Sequence, residues 1–536
     1  MTGALARLLA LCLWTGEEVK TIESKAIRES PLSMGYGDAG ASYARKALKA
    51  FIAQSGSPRD DIDPHNFTLR QRGRMLYMAA PIATAAIRTA CTNVVGVGLA
   101  MKSRIDREAL GLSPEQAKAW QKQTEAEWKL WAGKKQCCDA IGVCNFDEMQ
   151  KLALMSALMA GDCFALLPRA PVTPTSPYSL RIKMAEADLV STPDALAVLP
   201  GTVTEAQAPN GNFIYDGVEV DKDTSAIVAY HFCNRYPFEV YTIGETRRWQ
   251  RVLAYGENTG LPNVLHIMEP ERAGQYRGVT FLAPVIEQLL QIRRYTESEL
   301  MAALIQTLFT AWVETETDPA AIPMNEIGGE DRQTSCDPNE YEMGSGTVIH
   351  LRVGEKVKFG NPNIPTNGFD AFVKSIATQI GAALEIPRDV LLKEFNSSYS
   401  ASRGALLEAY RAFKSRRKWL VDDFCQPIYE IWLAEAVARG RVSAPGFFAD
   451  PRIRAAWSGT QWIGPSQSQI DPLKEVKADI LAVEAGFKNY DQAVVERGGG
   501  DLMENIEQLA AVKENFRQLA LNIAASPDIA ANQIDE

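Results

Sequence analysis

The stretch LPNVLHIMEPERAGQYRGVTFLAPVIEQLLQIRRYTESELMAALIQTLFTAW, residues 261–312, constrains the fold of this chain more than any other. Residues 263–268 read as a strand and residues 269–278 as a charged turn. The spacing then predicts a helix over 280–312, with Thr280 as its N-cap and Pro284 early enough to be tolerated in the first turn. Leu282, Val285, Ile286, Leu289, Ile292, Leu300, Leu304, Leu308 and Trp312 recur at three- and four-residue steps and mark one apolar face. Arg293, Arg294, Glu297 and Glu299 interrupt that face in its middle. Such a helix is roughly 50 Å long, whereas helices of globular domains average about three turns. The plain reading is a core helix of a large α+β domain.

With 536 residues the chain can bury a sizeable core and divide into several modules. A net charge of -10 argues against a surface built to grip phosphate backbones, because that affinity comes from dense Lys and Arg. It leaves room for contact with DNA that must slide. The nine cysteines are scattered and odd in number, which fits free thiols in a reducing compartment. No apolar run reaches the ~18 residues a membrane helix needs. The apolar segment 8–14 has one preceding Arg and no small-residue cleavage site, so it reads as a short amphipathic arm or a misassigned start rather than a signal peptide.

Along the chain, residues 15–70 are polar and irregular, and Asp60, Asp61 and Asp63 read as a solvated loop rather than a calcium site. A helix pair follows over 67–100, closing on a Gly96/Gly98 turn that lacks the third glycine of a dinucleotide site. Ser113 caps a helix that runs to Ala132, and Phe146–Ala160 is a further amphipathic helix. Cys137, Cys138 and Cys144 lack the paired spacing and histidines that zinc requires. Residues 162–268 alternate short β-rich runs with turn dipeptides such as Asn210-Gly211 and Asp216-Gly217, a mostly antiparallel sheet module. His231 and His266 lie in strands and read as hydrogen-bonded strand residues. Residues 314–366 form an insert with strands expected at 347–351 and 356–359. A second amphipathic helix, with Phe369, Phe372, Val373, Ile376, Ile380 and Leu384 on one face, stops at Ile386-Pro387. A polar loop over 388–401 leads into a long helix over 402–438 that Pro427 should kink near 424–426. Its basic run Arg411, Lys414, Arg416, Arg417 and Lys418 fits a solvated face, an intersubunit ion-pair surface or a DNA contact. Residues 441–472 are irregular and carry Trp457 and Trp462, and 473–487 are helical. The tail has Leu502, Leu509, Phe516 and Ile523 at seven-residue steps with Val512 and Leu519 between them, a pattern of helix–helix association.

Catalytic patterns are missing. There is no GxxxxGK(S/T) phosphate loop, no HExxH and no GxSxG, and the four histidines sit beside no plausible nucleophile in sequence. The residues alone describe a soluble, non-enzymatic assembly protein without catalytic, cofactor or metal residues.

The order of pieces is more specific. NVVGVG at 93–98, FDEMQKLAL at 146–154, VLHIMEPER at 264–272 and GVTFLAP at 278–284 are followed by YSASRGALLE at 399–408, WIGP at 462–465 and IDPLKE at 470–475. Together they resemble the portal proteins of tailed bacteriophages, most closely the lambda-type family, over roughly residues 65–500. The resemblance implies an α+β portal fold. An N-terminal arm would occupy 1–64, a β-rich wing 65–279, a stem helix 280–313, a small α/β clip 314–366 and a second stem helix 367–387. A tunnel loop at 388–402, a kinked wing helix at 403–440 and a C-terminal wing or crown region with a helical tail at 441–536 would complete it.

It implies a non-enzymatic ring, usually of twelve subunits, at one capsid vertex, through which double-stranded DNA is packaged and ejected. Its partners would be further copies of the chain, the DNA, the terminase large subunit, head-completion and tail proteins, and major capsid and scaffold proteins, with no membrane. It would sit in the virion and, during assembly, in the host cytoplasm. Lys393, Asn396, Ser397, Ser398, Tyr399 and Ser400 would face DNA, and Arg293, Arg294, Glu297 and Glu299 would pair neighbouring stems. Helices pack 8–10 Å apart, so twelve of them put their axes on a circle roughly 31–38 Å across and leave an opening of roughly 21–28 Å, wide enough for a duplex. Two alternatives stand beside this: a terminase or nuclease subunit of the same machinery, and a domesticated ring scaffold.

Overall fold

The computed structural model describes residues 41–42, 45–51, 55–194, 205–239, 246–308, 311–313, 348–350, 368–395, 398–466, 472–497 and 502–525. The expectations for most of the N-terminal arm, for the second clip strand at 356–359 and for Asn396 and Ser397 therefore lie outside the described residues. The chain divides into two units, residues 1–57 and 58–536. In the first, the amides of Leu48 and Lys49 close a turn on the Arg45 carbonyl.

The second unit opens on α1 (Pro58–Ala79), so the stretch expected to be a loop with Asp60, Asp61 and Asp63 is helical. Acidic residues in a first turn complement the positive end of the helix, which is what Asp60 and Asp61 do here. A proline at its start opens α2 (Pro81–Val94). β1 (Ala100–Ser103) leads to α3 (Pro114–Ala132), whose expected Ser113 cap is a full capping box with Gln116. α4 (Lys135–Cys138) is a single turn, and α5 (Phe146–Ala160) has a second capping box, Asn145 with Glu148.

The β-rich module contains two antiparallel sheets. β2 (Asp162–Leu166) lies between β3 (Lys183–Glu186) and β9 (Val264–Met268). The other sheet runs in chain order through β4 (Glu205–Gln207), β5 (Phe213–Tyr215), β6 (Val218–Val220), β7 (Ile227–Cys233) and β8 (Trp249–Leu253). The expected run 213–220 is a hairpin turning at Asp216-Gly217, where Asp216 has φ 44° and Gly217 φ 84°.

The helix that the opening stretch predicts is shorter than its spacing. A 3-10 turn, Ala283–Val285, precedes α6 (Ile286–Leu308), whose 23 residues span roughly 35 Å. Thr280 caps a tight turn instead of the helix: its hydroxyl accepts from the Leu282 amide at 3.3 Å and donates to the Leu158 carbonyl at 3.3 Å. Beyond the helix, β10 (Ala311–Val313) pairs in parallel with β11 (Val348–His350). Helix α7 (Phe369–Ala383) occupies the expected place. The polar loop does not: it contains α8 (Arg388–Leu392), and α9 (Tyr399–Leu420) starts before the expected boundary. A π turn, Val421–Cys425, joins α9 to α10 (Gln426–Ala438), with Pro427 in the first turn of α10. The π turn lies where the kink was expected, beside a proline that cannot donate back into the preceding turn. The region thought irregular has α11 (Pro451–Trp457) and β12 (Thr460–Ile463), and β12 pairs antiparallel with β1. α12 (Pro472–Glu484), α13 (Tyr490–Glu496) and α14 (Leu502–Ala525) follow.

Aromatic residues distant in sequence hold the main core. The Trp128 ring lies 5.1 Å from Phe146, 5.1 Å from Trp432, 5.6 Å from Tyr429 and 6.0 Å from Trp462. Helices α3, α5 and α10 and strand β12 therefore converge on one side chain, in the edge-on geometry that aromatic quadrupoles favour.

Candidate nucleic-acid interface

The root of α6 is fixed by a buried ionic cluster. Arg277, fully buried, donates to both oxygens of Asp162 at 2.7 and 3.2 Å. It also donates to the carbonyls of Val190 (3.0 Å), Ala187 (2.8 Å) and Asp216. Asp162 in turn accepts from the Gly278 amide at 3.0 Å and meets His266 at 3.3 Å. From α1, Arg70 pairs with Asp216 at 2.5 Å, Arg74 pairs with Asp188 at 2.5 Å, and the Asn66 amide donates to the Gly278 carbonyl at 2.9 Å. Gly161 (φ 98°) and Gly278 bring their backbones together so closely that a Cβ on either would collide with the other.

Burial opposes the Asp162 charge, but the Arg277 guanidinium, the His266 hydrogen bond and Arg70 outweigh it and hold the carboxyl well below the usual range. Burial also lowers the pKa of His266, keeping the imidazole neutral. Asp63, on the same helix as Arg70, is pushed up to about 6 by burial and by Asp216. His266 and His231, the latter 3.1 Å from Glu219, are the hydrogen-bonded strand residues the sequence suggested. The Arg277–Asp162 pair itself has no sequence signature, since its partners lie 115 positions apart.

Of the residues expected to pair neighbouring stems, Arg293 and Glu297 pair within α6 at 2.9 Å, one turn apart. Arg294 is exposed and Glu299 half-buried. Helices α6 and α7 meet through Tyr295, whose ring lies 5.5 Å from Phe369 and 4.8 Å from Phe372. Of the residues expected to face DNA, Lys393 ends α8 in the left-handed conformation (φ 55°). It lines an open groove of about 610 Å³ with Arg88, Thr84 and Thr89 of α2 and with Phe395. That lining carries two cations and no carboxylate. Ser398 and Ser400 are exposed with hydroxyls 3.3 Å apart, and Ser400 and Tyr399 stand in the first turn of α9 rather than in a loop.

The basic run on α9 splits in two. Arg416 is buried, pairs with Glu385 at 2.9 Å and lies 4.7 Å over the Phe281 ring. Arg417 donates to the carbonyls of Val94, Asn93 and Pro465, each at 2.8 Å. Arg416 ties α9 to the end of α7 and to Phe281, and Arg417 ties it to α2 and to the segment after β12, so both are internal staples. Arg411, Lys414 and Lys418 are exposed.

Burial raises the Cys91, Cys138 and Cys163 thiols to about 12, so they stay protonated and unreactive at neutral pH. Among the described residues, no group of three or more His, Cys, Asp or Glu is placed to hold a metal ion. Among them, too, no helix is long and apolar enough to cross a membrane.

Residues 45–417 match the sequence model described as phage portal protein, lambda family. The chain is similar to portal protein B of Escherichia phage lambda, 24% identical over 434 residues that cover 78% of each chain. It is also similar to the portal protein of Escherichia phage N15, 23% identical over 457 residues and 82% of each chain. The probable portal protein of Halomonas phage phiHAP-1 is 22% identical over 456 residues, 85% of this chain and 81% of that one. Among solved structures, a chain from the neck of a native gene transfer agent particle computed with C12 symmetry aligns at 14% identity and a TM-score of 0.36. That alignment covers 81% of this chain and 93% of the other.

Proposed function

The chain belongs to the lambda family of phage portal proteins, and from that membership we propose that it is the portal subunit, the head–tail connector, of a tailed-phage particle. Copies of it form a ring, of twelve in the reading favoured here, at one vertex of the capsid. Double-stranded DNA enters and leaves through that ring without sequence-specific contact. The observation that carries this reading is the family match over residues 45–417, which spans both sheets of the β-rich module, α6, α7 and most of α9. The rooted α6 and its aromatic contact with α7 support it, because a ring wall needs a helix pair held in fixed orientation by each subunit.

In this reading Lys393 and the 396–400 segment approach the DNA, and Arg293, Arg294, Glu297 and Glu299 pair between neighbours. The 314–366 insert, with the 348–350 strand inside it, is the clip that meets terminase and the head-completion and tail proteins. Capsid and scaffold proteins surround the wing, and the protein is a virion component assembled in the host cytoplasm. The net charge of -10 suits a conduit, since a basic wall would retain the duplex. A DNA-processing enzyme of the packaging machinery is the competing reading, and the sequence gives it no phosphate loop. Electron microscopy of the purified full-length protein decides between them. Rings with an axial hole are expected, and a population of monomers with ATPase or nuclease activity would overturn the proposal.

A further inference from the structure

Strand β12 has one edge that nothing among the described residues closes. It pairs only with β1, and the far edge of β1 lies against α3, where Glu125 accepts from the Ser103 amide at 3.0 Å. Ser103 thus turns its amide away from β12, while the Arg104 amide donates to the Gly459 carbonyl at 2.8 Å. The alternation of an antiparallel ladder then assigns the backbone groups of Gln461 and Ile463 to β1. Those of Thr460 and Trp462 point the other way, and among the described residues their amides and carbonyls have no hydrogen-bond partner.

A groove of about 350 Å³ borders β12 along its length. Tyr410, Lys414 and Lys418 of α9, Val421 of the π turn, and Gln492 and Glu496 of α13 complete its lining. The open edge offers donors and acceptors in alternation, which a peptide backbone matches and a phosphate backbone, rich in acceptors, does not. The four residues of β12 span roughly 13 Å, and an added strand would lie about 4.8 Å away. Helices beside the groove leave room for a single strand and keep a second β12 edge from meeting this one, because sheets join edge to edge only where the edge is open and flat.

The charges select the sequence of that strand. Of the lining cations, Lys418 pairs with Asp422 at 2.5 Å and Arg417 is spent on three carbonyls, while Glu496 pairs with Lys488 at 2.5 Å. Lys414 is exposed in the groove, and among the described residues no carboxylate pairs with it. We propose that β12 takes up, as a third strand, an extended segment of a separate protein that carries an Asp or Glu to meet Lys414. The proposal goes beyond the ring reading and does not depend on it.

The test uses the full-length protein and a fluorescein-labelled peptide, Thr-Val-Asp-Val-Glu-Val-Thr, chosen for strand propensity and negative charge. Saturable binding is expected in fluorescence anisotropy, with roughly tenfold weaker binding to Lys414→Glu, whose fold is checked by circular dichroism. Peptides N-methylated on alternate amides should lose binding in one phase and keep it in the other. Hydrogen exchange read by mass spectrometry gives an independent measure: half of the amides over 460–463 should exchange fast in the protein alone and slow with peptide bound. Absence of binding, or binding indifferent to the phase of methylation and to Lys414→Glu, would overturn the strand-addition site. Slow exchange across all of 460–463 without peptide would mean that this chain or a neighbouring copy already covers the edge, which sinks the separate partner. Displacement of the peptide by a DNA duplex would refute the choice of a peptide.

Discussion

Arg277 and Asp63 sit in the same charged cluster with opposite consequences. Arg277 satisfies Asp162 and three carbonyls from two separate segments, so Arg277→Met strands a buried carboxylate. Breaking such a pair costs about 3–5 kcal/mol, and we expect a melting temperature lowered by several degrees in calorimetry. The Asp162 carboxyl, held well below its usual range, contributes stability at neutral pH that is lost as the pH falls below the ordinary carboxylate range. Asp63 acts in the other direction. Folded, it keeps its proton up to about pH 6, whereas the unfolded carboxyl releases it near 3.8. In that window the unfolded chain binds fewer protons, so this group lowers stability as the pH rises through it. Asp63→Asn should melt higher than the wild type at pH 7 and equal to it at pH 4. An equal difference at both values would refute the assignment.

At the scale of elements, the Ser113 cap was legible, whereas the Thr280 cap and the loops expected around Asp60–Asp63 and at 388–401 were not, and neither were the long-range pairings. Ser113 announces its helix through Gln116, three positions away, and the π turn ends two residues before Pro427. The periodicity of the 280–312 stretch carried the expected helix past Leu308, because nothing local shows that 311–313 pairs with 348–350. The basic run on α9 read as one face, yet Arg417 points at carbonyls more than three hundred positions away. Arg417→Met is expected to destabilise the chain by about 2–4 kcal/mol, with each lost charge-assisted bond counting for less than its full value. Lys414→Met, on the exposed side of the same helix, should stay within ~0.5 kcal/mol. Chemical denaturation of both variants checks this pair. Charge reversal at Arg293 removes an in-helix pair whose contribution to the monomer is small, about 0.3–0.5 kcal/mol. A large effect of Arg293→Glu on oligomer mass in light scattering would place that charge between subunits, and unchanged mass would sink its intersubunit role.

At the scale of the whole molecule, the second unit is tied together by contacts that cross its full sequence length. Trp128 meets side chains from α5, α10 and β12, and β1 pairs with β12 more than 350 positions later. Trp128→Ala should therefore weaken the body as one cooperative unit, by about 3–5 kcal/mol, with a single unfolding transition by both near- and far-ultraviolet circular dichroism. The parallel pairing of 311–313 with 348–350 has a different consequence. It fastens the two ends of the intervening 34 residues side by side. The entropic cost of closing such a loop grows only with the logarithm of its length. A change in the number of residues between 313 and 348 therefore alters the cost of this pairing only a little and leaves its register untouched.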